Sequence, residues 1–178
     1  MLKQRKKRLF VLIFILAFSI SLVLFAFSSS DTAIVSISGA GGDYASISGI
    51  GGSWSKLVFG KELSKVEEVD LFSIIPKSTY TGDLIIQVSL VNTAELFGVY
   101  QYLRMEMELQ DKEGNKIDKF QLISLTSRDT EFLLEYPGGG WDSPYKIKIT
   151  GGSYLTKKGA AGNGESFSPR FYGEIMQR

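Results

Sequence analysis

The clearest pattern in the chain is a strict alternation. In LRMEMELQ, residues 103–110, Leu103, Met105, Met107 and Leu109 take turns with Arg104, Glu106, Glu108 and Gln110. A period of two puts the apolar set on one face and the polar set on the other, which predicts a strand with one wet face. Antiparallel sheets have that character, whereas parallel sheets are covered on both faces. YKIKIT (145–150) alternates in the same way, with Tyr145, Ile147 and Ile149 against Lys146 and Lys148. LIIQVSLV (84–91), EFLLEY (131–136), KFQLISL (119–125), DLFSIIP (70–76) and RFYGEIM (170–176) read as further strands, with KLVF (56–59) and GSYLT (152–156) as shorter ones. ELSKVEEV (62–69) is ambiguous between one helical turn and a loop. Turn signals separate these runs: Thr81-Gly82-Asp83, DKEGNKID (111–118), Ser127-Arg128-Asp129 and Gly138-Gly139-Gly140. KKGAAGNGES (157–166) predicts a mobile loop. No segment beyond residue 28 keeps a helical period for three turns. The expected fold is all-β: an antiparallel β-sandwich, jelly-roll or Ig-like, preceded by one N-terminal hydrophobic helix.

That helix breaks the pattern completely. LFVLIFILAFSISLVLFAF, residues 9–27, has only Ser19 and Ser21 as polar positions. At about 1.5 Å per residue it is nearly 30 Å long, enough to cross a hydrocarbon core. Residues 1–8 carry Lys3, Arg5, Lys6, Lys7 and Arg8 and no acid. Basic flanks stay cytoplasmic, so the reading places residues 29 onward outside the cell. Two fates stay open. The apolar run exceeds the usual signal-peptide core, which argues for a retained single-pass anchor in the cell membrane. Ala26-Phe27-Ser28 supplies small residues for cleavage, which would leave a secreted or surface protein. Residues 28–53 form a Gly/Ser-rich β segment, and 54–178 the sandwich proper.

Within the Gly/Ser-rich segment, SISGAGG (36–42) recurs as SISGIGG (46–52). The repeat predicts a strand, a tight turn and a second strand.

Charge and composition narrow the chemistry. The chain has 20 basic and 19 acidic residues; without the five N-terminal cations, 15 basic remain against 19 acidic, a net of −4. That disfavours nucleic acid as a partner, because phosphate contacts require a basic surface. There is no cysteine, so neither disulfides nor thiolate metal sites can form. There is no histidine, which removes the commonest general base and the Ser-His-Asp triad.

The remaining motifs have ordinary readings beside their chemical ones. Gly60-Lys61 is followed by Glu62, and Ser55 stands where a phosphate loop needs its first glycine. Ser53-Trp54-Ser55-Lys56 fits a Ser-x-x-Lys pattern, and Lys157-Lys158-Gly159 loosely fits the second motif of penicillin-binding enzymes, but that chemistry belongs to a larger mixed α/β domain. Glu67, Glu68 and Asp70 read as a solvated edge. Asp111, Glu113, Asn115 and Asp118 offer oxygens to a weak extracellular Ca²⁺ contact; Gly114 falls too early for an EF-hand loop, and the favoured reading is a hairpin turn. Trp54, Trp141 and Tyr154 each follow glycines, and aromatics on glycine loops are contact candidates that can also roof a core.

The layout of an export signal, a short β segment and a sandwich resembles that of camelysin-type fibre subunits of bacterial and archaeal surfaces. So does TYTGDLIIQVSLVNTAEL (79–96), although that family's usual Pro-Gly-Asp is Thr81-Gly82-Asp83 here. The resemblance implies β-strand donation, with Thr32, Ala33, Ile34, Val35, Ser36, Ile37 and Ser38 adding to a neighbour's sheet. The expected function is a non-catalytic surface protein, not an enzyme and without cofactors, acting by protein–protein contact and assembling as a filament subunit. The alternative is a membrane-anchored accessory or ligand-binding subunit of a larger membrane complex.

Overall fold

The computed structural model describes residues 30–38, 44–57, 63–139, 144–160 and 168–178. The basic N-terminus and the hydrophobic helix expected over 9–27 lie outside these residues. Among the described residues, no helix is long and apolar enough to cross a membrane.

The described chain is all-β and mostly antiparallel, in two sheets. The strands are β1 (Ser30–Ser38), β2 (Ala45–Gly49), β3 (Gly52–Leu57), β4 (Ser64–Lys65), β5 (Val69–Pro76), β6 (Gly82–Leu90), β7 (Tyr100–Gln110), β8 (Gln121–Ser124), β9 (Asp129–Tyr136), β10 (Tyr145–Thr156) and β11 (Arg170–Gln177), with one helix, α1 (Thr93–Val99), between β6 and β7. The first sheet runs β3-β1-β11-β6-β9, and the second runs β2-β5-β10-β7-β8 with β4 added beside β10. The pairing of β1 with β11 is parallel, an exception to the antiparallel expectation.

Each alternating run buries its apolar set between the sheets. Leu103, Met105, Met107 and Leu109 of β7, Ile147 and Ile149 of β10, and Phe72 and Ile74 of β5 meet Leu84, Ile86, Val88 and Leu90 of β6, Phe132 and Leu134 of β9, and Phe171 and Ile175 of β11 in one core. The sheets close tightly where β11 carries Gly173. A Cβ built there would lie 2.8 Å from Ile47 Cδ1 and 2.8 Å from Phe72 Cε1. A glycine on the core-facing side of β11 therefore lets the second sheet approach.

Several expectations change in detail. Residues 145–150 and 152–156 are one long strand, β10, interrupted by a bulge between Ile149 and Gly151. Gly152 sits at φ +134, and a Cβ there would lie 2.2 Å from the Arg104 carbonyl oxygen, so only glycine continues the strand through the bulge. ELSKVEEV supplies the two-residue strand β4 and not a helical turn. The repeat does not make one hairpin. Ser36-Ile37-Ser38 ends β1 in the first sheet, whereas Ser46-Ile47-Ser48 lies in β2, which pairs with β5 in the second. The two copies thus bracket the point where the chain changes sheets. Helix α1 was not expected. It is two turns long and buries only Leu96 and Val99, a spacing too brief to register as a period. It carries the chain from β6 in one sheet to β7 in the other.

The edge where β8 and β9 run side by side is sealed by polar contacts. The Leu133 N–H donates to Asp118 Oδ2 at 2.6 Å, and Thr130 Oγ1 donates to Gln121 Oε1 at 3.3 Å. The amide of an otherwise open edge strand is satisfied by a loop carboxylate of the neighbouring sheet.

Candidate functional site

Residues 32–38, the donor-strand candidates, lie in β1, which serves two partners in succession. Its first part pairs antiparallel with β3: Thr32 stands opposite Trp54, Ala33 opposite Ser53 and Ile34 opposite Gly52. Its second part pairs parallel with β11: Val35 opposite Arg170, Ser36 opposite Phe171, Ile37 opposite Tyr172 and Ser38 opposite Gly173. Among the described strands, β3 has no other sheet partner. Strand β1 therefore joins the first and last parts of the chain, and without it β11 would present a row of unpaired backbone groups beside Phe171 and Gly173, both core-facing.

The upper end of this slot is fastened by a polar clip. Buried Asn92 donates from Nδ2 to the Ser168 carbonyl at 2.9 Å and accepts at Oδ1 from the Arg170 N–H at 2.9 Å. Arg170 Nη2 reaches both carboxylate oxygens of Glu95 on α1, at 2.5 Å each. The Arg170 guanidinium holds the Glu95 carboxyl below its usual range, with Asn92 contributing in the same direction. The clip ties α1 to the residue at which β11 begins to pair with β1.

The other candidates are dispersed. Asp111 is spent on its own hairpin: Oδ1 accepts from the Asn115 N–H at 2.8 Å and Oδ2 from Asn115 Nδ2 at 2.9 Å, around Gly114 at φ +86. The Asn115 side chain is also the main reason the Asp111 carboxyl sits below its usual range. Asp118 is committed to Leu133 and to the Lys119 N–H, and Glu113 lies 3.7 Å from Lys112. Asp111 and Asn115 bond to each other, and among the described residues no group of three or more acidic, histidine or cysteine side chains could hold a metal ion.

Glu68, just before β5, pairs with Lys148 at 2.6 Å, and Asp70 of β5 pairs with Lys146 at 2.8 Å, so part of the acidic run forms ion pairs to β10. Ser53 and Lys56 lie three residues apart in the extended strand β3, not at the start of a helix as the Ser-x-x-Lys chemistry requires. Trp54 is in the same strand, and Trp141 lies outside the described residues. Tyr154 corrects the contact reading. It is 3 % exposed and meets Tyr100 edge-on at a ring distance of 6.0 Å, inside the core. Its position on β10 faces inward because the bulge between Ile149 and Gly151 shifts the alternation by one residue.

One groove opens on the outer face of the second sheet. It holds about 670 Å³ and lies between the 66–68 arch and β7, with Gly151 of β10 in its lining. Sequence reasoning passed over it, because its residues come from β4, β7 and β10 and only pairing unites them.

No family model matches the chain, and no curated protein matches it. The class defined here is an all-β protein of two mostly antiparallel sheets.

Proposed function

We propose that the protein is a non-catalytic extracellular surface subunit that acts by protein–protein contact and assembles into filaments by β-strand donation. In this reading the domain is a jelly-roll-type sandwich, residues 32–38 are the donor strand, and β11 with β3 receives it. The observation that carries the reading is the seat of β1: a strand near the start of the chain, paired parallel with the last strand and holding β3 to the sheet. A strand so placed can be exchanged for the same strand of a neighbour, with every backbone pair reproduced between subunits. Gly39, Gly41 and Gly42, just after it, suit a connection that must redirect. The layout shared with camelysin-type fibre subunits, export segment first and β segment next, supports the same conclusion.

Self-pairing competes with exchange. A short tether gives the chain's own strand an effective concentration on the order of 1 mM. Exchange then becomes dominant only when subunits are concentrated at a surface or on a growing end. The filament also requires a processed N-terminus, because a retained anchor at 9–27 would hold each donor strand at its own membrane.

Cysteine cross-linking tests the reading directly, since the chain has none of its own. Chains carrying only Ile37→Cys are mixed with chains carrying only Tyr172→Cys, the register partners across β1 and β11. Donation yields disulfide-linked pairs under filament-forming conditions, and filaments in negative stain. An N-terminus intact by mass spectrometry, with no filaments and no mixed disulfide, would refute it and favour the tethered accessory subunit.

A further inference from the structure

One end of the two sheets gathers exposed apolar side chains. Helix α1 marks that end: β6 reaches it at Leu90, β7 leaves it at Tyr100, and β11 starts there at Arg170. Val91 follows β6 and donates its N–H to the Arg170 carbonyl at 2.8 Å. Helix α1 commits Leu96 and Val99 to the core and leaves Phe97 outside. Tyr102 of β7 stands opposite Leu155 of β10, and Leu63 precedes Ser64, which stands opposite Tyr154. Leu63 and Val91 are the two most exposed large apolar side chains among the described residues, at 64 % and 50 %, and Phe97 and Tyr102 are exposed as well.

Cations ring the same end. The Leu90 N–H donates to the Arg128 carbonyl at 2.7 Å, which brings the β8–β9 turn there. The Lys157 N–H donates to the Val99 carbonyl at 2.8 Å and its Nζ to the Phe97 carbonyl, and the turn that follows presents exposed Lys158. Arg128 and Arg170 are matched by the carboxylates of Asp129 and Glu95, so the two lysines leave these turns with a positive balance.

The start of β1 points the same way. Strand β1 runs parallel to β11 with Val35 opposite Arg170, so residues 30–34 extend past the α1 end. The apolar run at 9–27 therefore joins the folded part from that side. From Phe27 to Val35 the chain advances eight residues, a reach of at most about 29 Å. The opposite end of the sheets lies a further seven residues along β11, about 23 Å. Of the two ends, the one bearing Leu63, Val91, Phe97 and Tyr102 is the one that a membrane holding residues 9–27 would meet.

We propose that this end rests on a lipid bilayer, with Leu63, Val91, Phe97 and Tyr102 entering the interface and Lys157 and Lys158 meeting lipid phosphates. The apolar side chains come from separate segments and each stands exposed, a pattern that suits a fluid surface needing no fitted partner. Aromatic rings settle at the headgroup level, and lysines lay their stems on apolar surface while their charges stay in water. Tethering raises the effective concentration of that surface, so a small contact suffices. The proposal rests on the export reading of residues 1–27 and goes beyond the filament reading. With the segment retained, the contact orients the folded part; after cleavage, it keeps processed subunits at the surface, where strand exchange is favoured.

The test uses the full chain reconstituted in vesicles of phosphatidylcholine and phosphatidylglycerol, with a fluorophore on a single introduced cysteine. Gly98→Cys places it on α1, where a Cβ would meet no atom within 4 Å. Ser78→Cys places it on the exposed turn after β5, at the opposite end. Lipids spin-labelled near the headgroup should quench the fluorophore at 98 and not at 78. Leu63→Ser combined with Phe97→Ser should abolish the quenching at 98 while leaving the melting temperature close to that of the parent, since both side chains are exposed. Equal quenching at the two positions, or quenching that the double substitution leaves unchanged, would overturn the proposal. So would shielding of position 98 from aqueous iodide without quenching by lipid, which would mean contact with another copy of the chain. Vesicles that float without the chain would overturn the proposal together with the export reading on which it rests.

Discussion

Replacing Gly173 with alanine adds one methyl group at a point of close approach between the sheets. The new Cβ would lie 2.8 Å from Ile47 Cδ1, 2.8 Å from Phe72 Cε1 and 2.9 Å from Phe72 Cζ. Carbon atoms pack best at about 3.5–4.0 Å, so roughly 1 Å of separation must come from β2, β5 or β11. Phe72 is fully buried and cannot swing into solvent. Overpacking of this kind costs about 1–3 kcal/mol. For a chain of this size each kcal/mol corresponds to about 2–4 °C, so the melting temperature should fall by about 2–12 °C. Ile47→Val removes the Cδ1 atom at fault. In the parent it should cost about 0.5–1.5 kcal/mol by leaving a small void. In the Gly173→Ala background it should cost less or stabilise, a coupling above about 0.5 kcal/mol in a double-mutant cycle followed by urea denaturation. A Gly173→Ala protein as stable as the parent, or strictly additive substitutions, would refute the claim that this glycine sets the sheet separation.

Asp118→Ala should leave the Leu133 N–H without its acceptor and cost about 1–3 kcal/mol; amide hydrogen exchange at Leu133 should accelerate, and an unchanged rate would show that the carboxylate does not seal that edge. The clip gives a pH dependence of definite sign. Because Arg170 depresses the Glu95 pKa, its contribution is fully present above about pH 4.5 and is lost as pH falls through the depressed value. A carbon-detected NMR titration should find Glu95 below the usual carboxylate range, and Arg170→Gln should return it toward 4.5. Adding millimolar calcium should leave the melting temperature unchanged, since both Asp111 oxygens are occupied by Asn115; a rise abolished by Asp111→Asn would restore the metal reading. Gly152→Ala should destabilise severely because of its positive φ and the Arg104 carbonyl, whereas Gly151→Ala should be nearly neutral; similar melting temperatures for the two variants would contradict the bulge geometry.

The strands with one wet face were legible residue by residue. LRMEMELQ and YKIKIT lie where their alternation put them, because burying one face of a sheet forces a period of two that a short sequence can display. The ends of elements were less so. Strand β7 begins at Tyr100, three residues before its alternation starts, and β10 runs through two glycines that read as a break. The bulge there depends on how β10 pairs with β7, and pairing has no local signature. Helix α1 was missed for a related reason: only Leu96 and Val99 are buried, and two positions make no period. Tyr154 followed glycines like a loop aromatic, yet its inward position was settled by a register shift several residues earlier.

By itself the sequence determined that the described chain is a β protein and that thiol and histidine chemistry is closed to it. Those conclusions rest on composition and on local periodicity, which each residue carries with it. Tertiary structure decided what residues 32–38 pair with, which glycines are obligatory, and that Lys65, Ser153 and Arg104 share a row. These are facts about neighbours far apart in the chain. They arise when two sheets close on one core, and hydrogen-bond register then fixes which distant residues stand side by side.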